Sequence, residues 1–187
     1  MAIDRRDRTG STPITVIVCC VQVLVPLLML AIPPALPVGA AETFSDPQNR
    51  FSFQIPDGWQ QDLTASNPAL VVQYLTTNPD GAFNVTATPL PDGITIDLVP
   101  QLVIARLQKD FSDFQQTSLG AASVAGEQGA ELDYTATSSA GTVVATAQIL
   151  VAHNGTLYLL TLASQPQDIG AIQTAGIPIL LSWQWLS

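Results

Sequence analysis

The chain has 187 residues, of which 47% are hydrophobic and 11% are charged, and its formal net charge is −9. This length fits one ordinary domain with an appendage. Fifteen acidic residues against six basic ones make a nucleic acid or an anionic membrane surface a poor partner. Two cysteines and one histidine leave too little for a zinc site or a disulfide scaffold.

Residues 1–41 have the composition of a secretory signal peptide. A polar start with three arginines precedes the almost wholly apolar residues 14–32, and small residues follow. These are the three parts of an export signal, and cleavage is expected after Ala40 or Ala41. An apolar run of about 18 residues or more can also span a bilayer, so a retained membrane anchor is the alternative.

Both interpretations place residues 42–187 outside the cytoplasm, in a periplasm, a thylakoid lumen or the extracellular space. This part holds thirteen acidic residues and three cations (Arg50, Arg106 and Lys109), a net charge of −10. It has no cysteine, so a disulfide cannot stabilise it. Membrane contact is expected only through residues 14–32, if the signal is uncleaved.

The first half of this domain has the patterns of strands. Residues 51–55 alternate, which predicts a strand with both phenylalanines on one face. Residues 69–76 and 82–88 are rich in β-branched and apolar side chains and flank the turn sequence of residues 78–81. Two such runs around a turn predict a hairpin.

The pattern then changes to a helical period. Residues 97–112 have apolar side chains at helical spacing, with Asp97 as the N-cap and Pro100 in the first turn. Residues 114–118 are expected to form a short strand. The glycine- and alanine-rich residues 120–126 are expected to form a loop.

The second half returns to strands. Alternation from Glu127 predicts one strand, and residues 142–152 and 156–163 predict a long hairpin around Asn154-Gly155, a typical type I′ turn pair. Both long strands are apolar on parts of both faces, so the sheet is expected to be covered on two sides.

A second helix is predicted over residues 166–175, interrupted by Gly176 and Pro178. The alternating tail, residues 182–186, is expected to close the fold as a strand or a packed end. Consecutive hairpins with two helices predict an α+β fold in which helices are layered on an antiparallel sheet.

Three acidic residues on one predicted strand are the candidate metal ligands: Glu127, Glu131 and Asp133. Glu131 and Asp133 are two residues apart and therefore face the same way. Calcium needs several oxygen ligands, so calcium is the one cofactor considered. The alternative is an exposed acidic strand face.

The tryptophans Trp59, Trp183 and Trp185 are candidates for a partner or ligand surface, with core packing as the alternative. The one histidine, His153, lies in the predicted tight turn and is expected to be a solvated loop residue. The sequence has no nucleophile motif and no set of residues suited to acid–base catalysis. We therefore predict no catalytic residues and no enzyme activity.

The order of these features resembles the PsbP-like superfamily, which also contains DcrB-like envelope proteins and Ran-binding import factors. The Phe51-Ser-Phe-Gln-Ile-Pro-Asp-Gly-Trp59 stretch and the terminal Ile179–Leu186 segment carry the resemblance, which covers residues 43–186. It implies a central antiparallel sheet sandwiched by helices and a non-enzymatic role. PsbP is a lumenal subunit of photosystem II with a lysine-rich docking surface, which the three cations here do not match.

Two functions are therefore expected. The first is a non-enzymatic exported interaction or assembly protein, an accessory factor with a protein partner at the outer face of a membrane complex. In a photosynthetic source that complex would be photosystem II. The alternative is an extracytoplasmic module that binds a small ligand or calcium.

Overall fold

The computed structural model describes residues 42–186. The predicted signal peptide or anchor at residues 1–41 lies outside these residues. Within them, no helix is long and apolar enough to cross a membrane.

The described chain folds into ten strands and two helices. The strands are β1 (Glu42–Ser45), β2 (Phe51–Ile55), β3 (Gln60–Gln61), β4 (Leu70–Thr77), β5 (Asp80–Pro89), β6 (Gln115–Val124), β7 (Glu127–Thr137), β8 (Val143–His153), β9 (Thr156–Ser164) and β10 (Gln184–Trp185). The helices are α1 (Val99–Asp110), which follows a 3-10 turn at Ile96–Leu98, and α2 (Ile169–Ser182).

The strands form two antiparallel sheets. Seven strands lie in the order β3-β4-β5-β9-β8-β7-β6, and three lie in the order β1-β2-β10. The predicted α+β class with an antiparallel sheet is confirmed, and the separate three-stranded sheet is an addition to the prediction. Both predicted hairpins are present, with Asn154 and Gly155 at the positive φ angles of 48° and 72° that a type I′ turn requires.

The two faces of the seven-stranded sheet have different partners. Side chains alternate along a strand, so Ile149 and Leu150 of β8 lie on opposite faces. Ile149 packs with the core that includes β2 and α2, whereas Leu150 packs with Val99 and Leu107 of α1. We call these the α2 face and the α1 face.

A stack of aromatic rings holds the α2 face together. Trp183 directly follows α2, and its ring lies 4.4 Å from that of Phe51 and 5.4 Å from that of Phe53, within 11° of parallel in both cases. All three side chains are at most 4% exposed. The stack therefore fixes the end of α2 against β2, and β10 continues from it to pair with β2.

Helix α2 does not stop where the sequence pattern suggested. The prediction that Gly176 and Pro178 interrupt it is wrong, because the helix continues through both residues to Ser182. Gly176 faces the sheet, where a Cβ would come within 2.8 Å of the Leu162 side chain, so glycine permits close packing there. Tertiary packing outweighs the poor helix propensity of glycine and proline here.

Strand β6 is also longer than predicted. The sequence predicted a short strand at residues 114–118 and a loop at 120–126, yet the strand runs from Gln115 to Val124. Its register pairs it with β7 along almost its whole length, with one irregularity between Gln116 and Ser118. Pairing with a long neighbour therefore overrides the weak strand propensity of its small residues.

We expect Trp183→Ala to reduce the free energy of unfolding by about 3–5 kcal/mol, because it removes a buried ring from the aromatic stack. Urea unfolding followed by circular dichroism measures this loss. The control is Leu181→Ala on the same helix, which removes an 83% exposed side chain and is expected to change stability by less than about 0.5 kcal/mol. Equal effects of the two substitutions would contradict the assignment of the stack as the main contact.

Candidate functional site

The three candidate acidic residues do not form one cluster. The Glu127 carboxylate lies 2.8 Å from Nδ1 of His153, and the His153 ring stacks on Trp185 with 4.4 Å between ring centroids. Glu131 and Asp133 lie further along β7, opposite Ile149 and Ala147 of β8. Glu127 therefore has its own partner and stands apart from the other two.

His153 is packed rather than solvated. Only 18% of its side chain is exposed, and it contacts both Glu127 and Trp185. The prediction of a solvated loop residue is wrong, because the terminal β10 brings Trp185 over the turn. The Trp185 indole also donates a hydrogen bond to the carbonyl of Val124 over 3.2 Å, which joins the chain end to β6.

Two of the three candidate tryptophans are core residues. Trp59 is 8% exposed and Trp183 is 4% exposed, and both contact buried phenylalanine rings. Trp183 also contacts the Trp185 ring edge-on, with 5.4 Å between ring centroids. Trp185 is half-buried. The three indoles therefore do not line one groove, and Trp185 alone has ring surface near solvent.

Glu131 and Asp133 share the α2 face, as their spacing predicted. Both are half-buried, which lies between an enclosed site and the exposed acidic strand face given as the alternative. Burial raises the pKa of Glu131, and the neighbouring charge of Asp133 raises it further. Burial also raises the pKa of Asp133, whose Oδ1 atom is buried without a hydrogen-bond partner in the described part of the chain.

The described cations all lie elsewhere. Arg50 binds Asp46 through contacts of 2.6 and 3.0 Å, and Arg106 binds Asp110 at 2.7 Å on α1. Lys109 is an exposed residue in the last turn of α1. Within residues 42–186, Glu131 and Asp133 are therefore partly desolvated carboxylates without a counter-charge, which is a costly arrangement.

A cavity of about 280 Å³ opens beside Glu131 between α2 and the sheet. Its walls are mostly apolar, and its polar edge comes from α2 and β7. The side chains around it include Phe83, Glu131, Ile149, Leu160, Leu162, Gln173, Thr174, Ile177 and Leu180. Sequence reasoning missed this cavity because α2 was expected to end before Ile177 and Leu180.

The arrangement offers two carboxylates for a cation. Among residues 42–186, no group of three or more histidine, cysteine or acidic side chains is placed to hold a metal ion. The two carboxylates would suit an ammonium or guanidinium group, which needs one or two acceptors.

These observations define an antiparallel α+β domain with an acidic, uncompensated surface beside α2. The chain belongs to the PsbP family, whose profile matches residues 40–175. The predicted resemblance is thus confirmed. No functionally curated protein matches the sequence.

Solved structures share the fold at low sequence identity. The cyanobacterial PsbP (CyanoP) of Synechocystis sp. PCC 6803 superposes with a TM-score of 0.58 at 17% identity, covering 82% of this chain and 98% of that chain. LpqN, involved in cell envelope biogenesis of Mycobacterium tuberculosis, gives 0.55 at 17% identity, covering 81% and 88%. The Saccharomyces cerevisiae Ran-binding protein Mog1p gives 0.57 at 9% identity, covering 78% and 95%.

We expect Glu131→Gln and Asp133→Asn each to increase the free energy of unfolding at neutral pH, by about 0.5–1 kcal/mol after solvent screening. Because the folded-state pKa of each carboxyl is raised, its ionised form costs stability above that pKa. The gain should therefore shrink as pH falls through the folded-state pKa toward the unfolded one. Thermal and urea unfolding between neutral and acid pH measure this.

The matched control is Asp46→Asn, which should have the opposite sign. Burial raises the pKa of Asp46, but hydrogen bonds and charge from Arg50 outweigh burial and lower that pKa overall. The variant should lose about 1–3 kcal/mol at neutral pH. This loss should vanish as pH falls through the lowered pKa. Destabilisation by all three substitutions would contradict the account of the site.

Proposed function

We propose that this protein is a non-enzymatic, exported interaction or assembly factor that binds a protein partner at the outer face of a membrane complex. The observation that carries this proposal is the PsbP family match over residues 40–175, which spans β1 to β9 and the first half of α2. PsbP-like proteins act as accessory factors that contact other proteins.

Export is the first part of the proposal. Residues 1–41 have the arginines, apolar run and small residues of a signal, which would deliver residues 42–187 across a membrane. If the apolar run is retained, it tethers the domain at the membrane surface, close to a membrane complex. Either form puts the acidic domain in the compartment where a partner's outer face is accessible.

The histidine environment supports a role without catalysis. General acid–base work at neutral pH most often uses an imidazole that can reach a substrate. The chain has a single histidine, and its two ring nitrogens already contact Glu127 and Asn154 at 2.8 and 3.0 Å. The Trp185 ring covers one face of the imidazole.

The charge of the domain restricts the docking mode. In a photosynthetic source, photosystem II is the membrane complex to test first, because the family includes a photosystem subunit. With a net charge of −10, residues 42–187 cannot themselves present the lysine-rich docking surface of that photosystem subunit. We therefore expect the partner, whatever the source, to present basic residues.

A second candidate is a small-ligand module, which the cavity of about 280 Å³ favours, since its size approaches that of small-molecule sites. Calcium is the ion considered for Glu131 and Asp133. Binding of calcium or of a small amine in the absence of any protein partner would favour this candidate.

Co-purification from native membranes tests the proposed function. A tagged full chain, expressed in its own host and extracted in mild detergent, should be recovered with one outer-face membrane protein in fixed stoichiometry. The control variant lacks residues 14–32, should remain in the cytoplasm and should recover none of that protein. Recovery of free monomer alone would contradict the proposal.

A further inference from the structure

We propose that the exposed edge of β6 takes up an extended segment of the partner protein as an added strand, and that this segment alternates basic and aliphatic residues. The inference rests on the proposed function and names the surface and the kind of partner that it uses. Three features carry it: the edge strand itself, the carboxylates on one face, and the apolar surface on the other.

Among the strands of residues 42–186, β6 is an unpaired edge of the seven-stranded sheet. It has ten residues without a charge or a proline, and most of them are exposed. Proteins usually protect long edges with charged residues, proline or a covering element, because unpaired backbone groups recruit another strand. The opposite edge, β3, has only two residues. The sheet thus leaves one long edge suited to strand addition.

On the α2 face, the carboxylates lie one strand in from this edge. Gly120 pairs with Glu131 and Ser118 pairs with Asp133, so only small side chains separate the carboxylates from the edge. The added strand would lie two strand spacings from β7, roughly 9.6 Å, a gap that a lysine or arginine side chain and a carboxylate side chain span together by leaning toward each other. A basic residue on the added strand would therefore supply the counter-charge that Glu131 and Asp133 lack.

On the α1 face, the surface along the same edge is mostly apolar. Leu119 pairs with Leu132 on this face and is 40% exposed. Beside it, a cavity of about 380 Å³ has apolar walls that include Ile96, Pro100 and Ala130, with Asp97 and Gln128 as its polar lining residues. An added strand alternates its side chains between the two faces. Basic residues toward Glu131 and Asp133 therefore imply aliphatic residues toward Leu119.

A second copy of this chain does not meet these requirements. Strand β6 contains no cation, so an antiparallel pair of β6 strands would bring no counter-charge to either pair of carboxylates. Two domains of net charge −10 would also repel each other. The occupant that fits is a basic segment of a different protein.

Peptide titration tests the proposal. The whole chain is expressed with isotope labels in its own host, and the protein is purified in whichever form the host retains, with or without residues 1–41. The probe is a nine-residue peptide of alternating valine and lysine with blocked ends. Its counterparts carry glutamate in place of lysine, or N-methyl groups on alternate residues that prevent backbone pairing. Amide chemical shifts report where each peptide binds, and calcium chloride and butylamine are titrated separately.

The lysine peptide should shift the amides of Gly120 and its neighbours in β6, and both counterparts should fail to bind. Combining Glu131→Gln with Asp133→Asn should weaken binding at least about tenfold. The matched control combines Asp57→Asn with Asp92→Asn, two exposed turn residues, removes the same charge and should leave the affinity unchanged. Unfolding curves confirm that each variant is folded.

Equal binding of the glutamate peptide, or equal weakening by the control pair, would overturn the proposal. The same shifts from calcium or butylamine, with displacement of the peptide, would identify a small-cation site instead and would also overturn it. Absence of peptide binding while a partner still co-purifies would overturn the edge assignment alone. Peptide binding without any co-purifying partner would overturn the proposed function alone.

Discussion

The packing of Trp183 against Phe51 and Phe53 is the contact on which the rest of the domain depends. It lies where α2 ends and β10 begins, so one buried ring positions a helix, a strand and the three-stranded sheet at once. The side chain of Ser182 adds to it by accepting a hydrogen bond from the Gln54 amide over 2.9 Å. Beyond the stack, the chain places Trp185 over His153.

The position of α2 determines which part of the sheet stays open. The helix packs on β2, β5, β8 and β9, and β7 and β6 lie beyond it in the strand order. Glu131 lies at this boundary, buried enough for its pKa to rise, and no cation of residues 42–186 lies beside it. Glu131 and Asp133 are two of the thirteen acidic residues in a domain with three cations. On an exposed surface, each would cost little free energy of folding. Half-burial without a counter-charge is what makes this pair a candidate for recognition.

Local patterns predicted most of the strands and one helix well. The alternation of residues 51–55 and the Asn154-Gly155 turn pair are patterns of two to five neighbouring residues. The strand and the turn that they predict are both present in the structure. The length of α2 and of β6 depends on neighbours that are distant in sequence, so propensity failed at Pro178 and at Gly120. The sequence did not predict the half-burial of Glu131 or the packing of His153 for the same reason. Helix α2 creates the first environment, and Trp185 near the end of the chain creates the second.

Site-specific photo-cross-linking in the native host tests the central claim most directly. A photoreactive amino acid in place of Leu119 reports on the β6 edge, and one in place of the exposed Gln101 on α1 is the control. We predict that the Leu119 position alone cross-links to a partner segment of alternating basic and aliphatic residues. Combining Glu131→Gln with Asp133→Asn should abolish that product. Equal cross-linking from both positions, or a captured segment without basic residues, would contradict the account.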